Sequence, residues 1–405
     1  MKCNRSIMIR AVVLISLMAS LPILSNRLQA DTGSCGGSVI TLPFNDVMAS
    51  PFFCQIAAVY FSGLTNGTGD GTTFSPTQVV TREQMAAFIS RTIDQSLKRG
   101  SQRAVAKKWF TPQDVNSLTL TDIGVSAELV EFDGTDLWVA SNGGSVARIR
   151  PGDGKLLETW TGASQGHGIL TALGRVFITG QTAPGGLFMI DPTQPAGVVT
   201  TLSTALGANP NGIAFDGSRI WTANVGSPGS VSIVSLNPTV VTTVSTGFSA
   251  PIGILYDGSN IWVTDRDTAS LLKLNSDGSI AQTIPVGNFP QHSVFDGTNI
   301  WVPNLTSNSV TVVRVKDTSG NPLTTAFVLA TLTGNGLNFS ATAAFDGERI
   351  LITNPGNSSI SLWKAVDLTP LGTFSTGAST QPFGACSDGL NFWISLNSTS
   401  KLARF

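Results

Sequence analysis

The sequence predicts a mainly β protein, a seven-bladed β-propeller preceded by a small α-helical module. Three observations predict it. A phrase of an aromatic residue, Asp-Gly and then an apolar-Trp-apolar triplet recurs through the C-terminal part of the chain. Its copies stand about forty-two residues apart, a period in the range of propeller repeats. Each copy holds four short apolar runs, the strand complement of one antiparallel blade. Composition agrees, because 12% charged residues and 42 glycines in 405 residues suit turn-rich β structure.

The balance of 24 basic and 25 acidic residues leaves no basic footprint, which argues against nucleic acid as a partner. Two histidines, with no Cys-x-x-Cys or His-Glu-x-x-His run, argue against most zinc chemistry. Walker loops and dinucleotide fingerprints do not occur in the sequence.

Residues 1–30 read as an export signal. Lys2, Arg5 and Arg10 make a basic start, Ala11 to Leu24 is apolar, and Leu28-Gln29-Ala30 offers a cleavage site. The expected location is extracytoplasmic, at the cell envelope or surface or secreted. Pro51 to Leu64 is too short to cross a bilayer and reads as a buried helix, so no transmembrane span is expected after cleavage. Cleavage leaves Cys35, Cys54 and Cys386 in an oxidising compartment. A Cys35–Cys54 bridge would leave Cys386 free.

Residues 40–95 form the helical module. Phe53, Ile56, Ala57 and Tyr60 have helical spacing, and Gly63 ends that helix. Asn66 to Gly71 is a turn-rich loop. Thr81 and Gln84 fit a capping box opening a second helix, whose apolar face is Met85, Phe88, Ile89 and Ile93. Residues 96–116, with Lys98, Arg99, Arg103, Lys107 and Lys108, read as a basic linker.

The run Phe44-x-Asp46-Val47, then Phe53, Gly63-Leu64, Gly67, Asp70-Gly71, Phe74, Pro76 and Thr81-Arg82-Glu83 resembles the S-layer homology motif. The resemblance implies attachment to wall or envelope polysaccharide, with Asp46, Asp70, Thr81 and Arg82 as site positions. Arg82 matches the arginine that pairs with an acidic sugar substituent, a role suited to the guanidinium fork. Members of that family usually carry three motifs; one occurs here.

The propeller spans 117–405. Its aromatic or apolar column is Trp138, Phe177, Trp221, Trp262, Trp301, Leu351 and Trp393, with gaps of 39, 44, 41, 39, 50 and 42 residues. Asp-Gly dipeptides precede six of these positions and read as hairpin turns with positive φ. The tryptophans read as packing between neighbouring blades. The last copy stops after its third strand, and 117–124 resembles the fourth strands of other copies. It is expected to complete blade seven and remove the exposed edges. Pro251-Ile252-Gly253-Ile254 with Trp262-Val263-Thr264-Asp265, and Pro210 to Ile213 with Trp221 to Asn224, resemble the YVTN and NHL-like propellers.

Aligning the copies places Glu128, His167, Asn211, Ile252, Gln291, Ala341 and Phe383 around one mouth of the central channel. His292 falls in the next column, so both histidines share one ring. Asn224, Asp265, Arg266 and Asn304 follow the second strands on the same face. The mouth candidates are thus Glu128, His167, Asn224, Asp265, Arg266, His292 and Asn304. No cofactor is predicted, although a divalent cation could sit among these groups. Streptogramin lyases and gluconolactonase-like enzymes are similar propellers, but no matching set of histidines and acids stands out here.

The expected function is an exported, envelope-associated protein whose propeller binds an unknown surface protein or glycan. A propeller enzyme, streptogramin-lyase-like or lactonase-like with its site at the mouth, is the first alternative. A structural subunit of a surface lattice is the second.

Overall fold

A computed structural model describes residues 30–35, 38–61, 64–97, 119–123 and 126–405. The export signal up to residue 29, the basic run 98–116, Gly63 and the flanks 117, 118 and 124 of the closing strand lie outside the described residues. The chain divides into two compact units at residues 101 and 102. No helix among the described residues is long and apolar enough to cross a membrane.

The N-terminal unit begins earlier than the expected module. Asp31–Cys35 and Ser38–Leu42 form an antiparallel hairpin, and a Cys35–Cys54 disulfide ties it to the helix Phe53–Phe61. Leu42, Phe44, Val47, Phe53, Ile56 and Ala57 make one buried cluster, with Tyr60 and Phe74 packed on it. Asp31 is buried, and its Oδ2 accepts the N–H groups of Val47 and Met48 at 2.6 and 2.8 Å. The second helix, Arg82–Leu97, has the expected capping box. Gln84 N donates to Thr81 Oγ1 at 3.2 Å and Thr81 N donates to Gln84 Oε1 at 2.9 Å. Of its expected apolar face, Met85 and Ile89 are exposed and Phe88 is half-buried.

The second unit is a ring of seven four-stranded antiparallel sheets. Blades one to six span 127–161, 166–206, 210–244, 251–285, 294–333 and 343–375. Blade seven takes its inner three strands from 382–404 and its outermost strand from Thr119–Asp122. In that last pairing Thr119 lies opposite Arg404 and Asp122 opposite Lys401.

The Asp-Gly turns do more than reverse the chain. Gly134 has a φ of 95°, as such a turn requires. The aspartate before it accepts two backbone N–H groups through Oδ1 and the indole of the following tryptophan through Oδ2. The indole bonds are 2.7 Å for Asp133–Trp138 and Asp216–Trp221. They are 2.8 Å for Asp257–Trp262, Asp296–Trp301 and Asp388–Trp393. A buried indole N–H needs an acceptor, and the turn supplies it from five residues away. Each tryptophan then packs on the next blade, as Trp138 does on Val176 and Ile178. Blade six has Leu351 in place of tryptophan. There Arg349 Nε donates to Asp346 Oδ2 at 2.9 Å, so the freed carboxylate oxygen still has a donor.

Candidate functional site

The channel mouth is built by a repeated hydroxyl clamp. In blades two, four, six and seven the second strand carries Thr179, Thr264, Thr353 and Ser395. Each hydroxyl accepts a backbone N–H from its own first strand, at Gly168, Gly253, Thr342 and Gly384, over 2.7–2.9 Å. Each also donates to a carbonyl of the following blade, at Asn211, Gln291, Phe383 and Glu128, over 2.6–3.0 Å. The first strands of blades two, four and seven shift register at this point, a bulge that re-aims the side chains. The neighbouring backbone comes so close that a Cβ on Gly168 would lie 2.2 Å from the Asn211 carbonyl. His292 escapes this constraint because its backbone pairs with the next inner strand instead. His292 N donates to Ala341 O at 3.1 Å and Ala343 N to His292 O at 3.0 Å.

These clamps bring four side chains from four blades together. The ring centroids of His167 and His292 are 5.9 Å apart. Phe383 stands edge-on to both, at 5.6 and 6.0 Å. Glu128 Oε2 lies 3.5 Å from His167 Nε2. Asn397 Nδ2 holds the other Glu128 oxygen at 3.2 Å. His167, His292 and Asn211 are buried, and His167 Nδ1, His292 Nε2 and Asn211 Oδ1 have no hydrogen-bond partner among the described residues. Below them the inner strands enclose a channel of about 460 Å³, which His292, Thr342, Glu131 and Cys386 also line.

Burial sets the charge state. It pushes Glu128 up to about 7, against the lowering effect of the Asn397 bond. It pulls His292 down to about 4. His167 falls to about 3, mainly by burial and further by repulsion from His292. Both imidazoles are therefore neutral near pH 7, each with one donor and one acceptor nitrogen. Glu128 is poised between its two forms.

Of the expected mouth residues, only Glu128, His167 and His292 come together. Asn224 and Asn304 are fully buried and serve their own blades: Asn224 Nδ2 bonds Ser230 and Ser232, and Asn304 Nδ2 bonds Ser309 and Thr311. Asp265 is fully buried too, accepting Ser249 N at 2.8 Å and Ala250 N at 3.1 Å. Arg266 pairs with Asp267 at 3.0 Å and lies over the Phe289 ring. Aligning the copies puts Phe383 and Asn211 in the same ring, and neither is among the expected mouth candidates. Among the described residues no three His, Cys, Asp or Glu side chains gather as a cation site.

In the N-terminal unit, three of the four expected polysaccharide positions hold the fold. Asp46 accepts Phe74 N at 2.9 Å and Ser75 N at 2.7 Å. Asp70 accepts both Thr72 N and Thr72 Oγ1, which lowers its pKa. Thr81 caps the second helix. Arg82 is exposed.

No family model matches the chain, and no curated protein sequence matches it. Solved structures do. Virginiamycin B lyase from Staphylococcus aureus is similar over 71% of this chain and 98% of its own, with 14% identity and a TM-score of 0.59. A streptogramin B lyase structure covers 71% of this chain and 96% of its own, with 14% identity and a TM-score of 0.56. The Cps50 (Swd1) propeller domain of Myceliophteria thermophila covers 70% of this chain and 97% of its own, with 10% identity and a TM-score of 0.58. At these identities the likeness is one of fold: the second unit is a seven-bladed β-propeller.

Proposed function

We propose that this is an exported envelope protein whose N-terminal unit binds anionic wall polysaccharide and whose propeller recognises a ligand at the channel mouth. The ligand is an uncharged polar group, free or displayed on a surface glycan or protein. One observation carries the propeller half: Glu128, His167, His292 and Phe383 converge from four blades with unfilled hydrogen-bonding capacity. Neutral imidazoles beside an apolar ring disfavour an anion, which would be buried there without a counterion, and Glu128, only partly ionised near pH 7, gives a cation weak support. The S-layer homology resemblance and exposed Arg82 support the polysaccharide half, and the Cys35–Cys54 bridge suits an oxidising compartment.

Co-sedimentation of the chain from residue 31 onward with purified sacculi tests the first half. Wild type should pellet and Arg82→Ala should stay soluble; equal pelleting would remove Arg82 from the reading. A neutral-glycan array tests the second. Wild-type signals should vanish in His167→Ala and His292→Ala, and signals that persist in both would rule out the mouth.

A second reading is favoured by Glu128, whose pKa of about 7 beside His167 suits proton transfer. The virginiamycin and streptogramin lyases share the propeller fold. Incubation with quinupristin followed by mass spectrometry tests that reading. Conversion by wild type but not by Glu128→Gln would support an enzyme, and no conversion would dismiss this substrate.

A further inference from the structure

The two faces of the propeller differ in charge. Strands within a blade alternate in direction, so the turns from second to third strand and the loops entering each blade share the face of the channel mouth. In the described part of those loops, from 142–144 to 397–400, Arg266 and Asp267 are the only charged residues, and they pair with each other at 3.0 Å. The opposite face carries the ion pairs Arg148–Asp136, Arg175–Asp191, Arg219–Asp216 and Arg349–Asp346. A ligand larger than the mouth therefore meets an uncharged surface around it.

Inside the mouth two amides lack partners. Gln291 and Asn211 are 4% and 6% exposed. The Gln291 backbone is fully used: its N donates to Pro303 O at 2.9 Å and its O accepts Thr264 Oγ1 at 2.9 Å. Its side-chain amide has no hydrogen-bond partner among the described residues, and neither does Asn211 Nδ2 or His292 Nδ1. Unlike Asn211 Oδ1 and His292 Nε2, these atoms keep accessible surface. Polar groups on such buried side chains are normally satisfied, by protein, water or a ligand.

An aromatic platform stands beside them. Phe339 is 49% exposed, with a φ of 52°, and its N donates to Asn308 Oδ1 at 2.8 Å. A Cβ on Gly356 would lie 2.5 Å from Phe339 Cδ2, so the ring rests against the blade-six turn. Two residues further on, Ala341 belongs to the mouth ring, and its O accepts His292 N at 3.1 Å. Two residues span at most about 7 Å, which keeps Phe339 next to the mouth.

We propose that the mouth binds an uncharged oligosaccharide, with one pyranose ring among Asn211, Gln291, His292 and Phe383 and the next on Phe339. This rests on the reading of the mouth as a site for an uncharged polar group. A sugar hydroxyl both donates and accepts, which matches the Gln291 amide and a neutral imidazole. The apolar faces of the sugar rings suit the flat surfaces of Phe383 and Phe339. A charged polymer would find no counterion on this face.

An array of neutral monosaccharides, trisaccharides and peptides, probed with the chain from residue 31 onward, tests this. At least one trisaccharide should bind about tenfold more tightly than its own monosaccharide. Phe339→Ala should remove that advantage, and its unfolding midpoint should match wild type because the ring is on the surface. Gln291→Leu should weaken the trisaccharide signal by about tenfold. Equal binding of monosaccharide and trisaccharide, absence of every saccharide signal, or an undiminished trisaccharide signal in Phe339→Ala would each overturn the proposal. The underlying reading fails separately, when signals persist in both His167→Ala and His292→Ala. Signals confined to the neutral peptides and lost in those two variants would overturn the oligosaccharide and leave the mouth as the site.

Discussion

Phe392 fills the space that Leu351 leaves. Both are fully buried in one cluster at the junction of blades six and seven. At five other junctions a tryptophan meets a branched aliphatic residue: Trp138 with Val176, Trp221 with Ile261, Trp262 with Ile300, Trp301 with Ile350, and Trp393 with Leu137. Here the sizes are exchanged. The larger ring sits on the following blade, and a crystal-like packing density is kept.

Leu351→Trp alone should therefore overpack the junction and cost about 1–3 kcal/mol. Adding Phe392→Ile should recover most of that loss, because the pair then matches Trp301 and Ile350. Urea unfolding of both single variants and the double variant measures the coupling. Simply additive losses would show that the two residues do not share one space.

Arg349 and Asp346 form an ion pair with side chains 3% and 0% exposed. Arg349→Leu should destabilise the propeller by about 3–5 kcal/mol, since it strands a buried carboxylate. Asp346→Asn in the same background should restore part of the loss by removing the stranded charge. The unfolding midpoint in urea reads both effects. A loss below about 1 kcal/mol would place the pair among ordinary surface bridges.

Stability should depend on pH through the mouth. The folded-state pKa of Glu128, about 7, lies above its ordinary 4.5, so folding favours the protonated form. That contribution is complete below pH 4.5 and is lost as pH rises through 7. His292 is opposite, because its folded-state value of about 4 lies below 6.5. Its contribution is present above pH 6.5 and is lost as pH falls through 4. Glu128→Gln should accordingly reduce the loss of stability between pH 4.5 and 7. Glu131, raised to about 7 by burial, maintains a residual slope. Urea midpoints across this range that match wild type at every pH would contradict the assignment.

The propeller was legible because its signal is periodic and local. An Asp-Gly turn and a tryptophan five residues later announce five of the seven blades, blade six keeps the turn with Leu351 in the column, and the weak copy at Leu173-Gly174 survives because Phe177 fills the same column. The bond from Asp133 to the Trp138 indole was not legible, since turn and core readings of the two residues each look complete. At the mouth, alignment placed the histidines in one ring but gave no side-chain direction. Asp265 and Asn304 sit in polar columns, yet both are turned inward to satisfy buried groups. The hairpin from Asp31 is not legible in the sequence, because its role rests on one carboxylate and a disulfide, neither of which has a periodic trace. The exposure of Met85 and Ile89 shows a helical pattern that the unit itself does not cover.

The pairing of Thr119–Asp122 with Lys401–Arg404 also orders events in time. During synthesis the outermost strand of blade seven emerges before any other strand of the ring, and its partner emerges after six further blades. Until then Thr119–Asp122 has no strand to pair with, and the ring cannot close. Closure thus reports that the whole propeller has been made. An export or folding factor that shields sheet edges would have to attend to this one seam for longer than to any other.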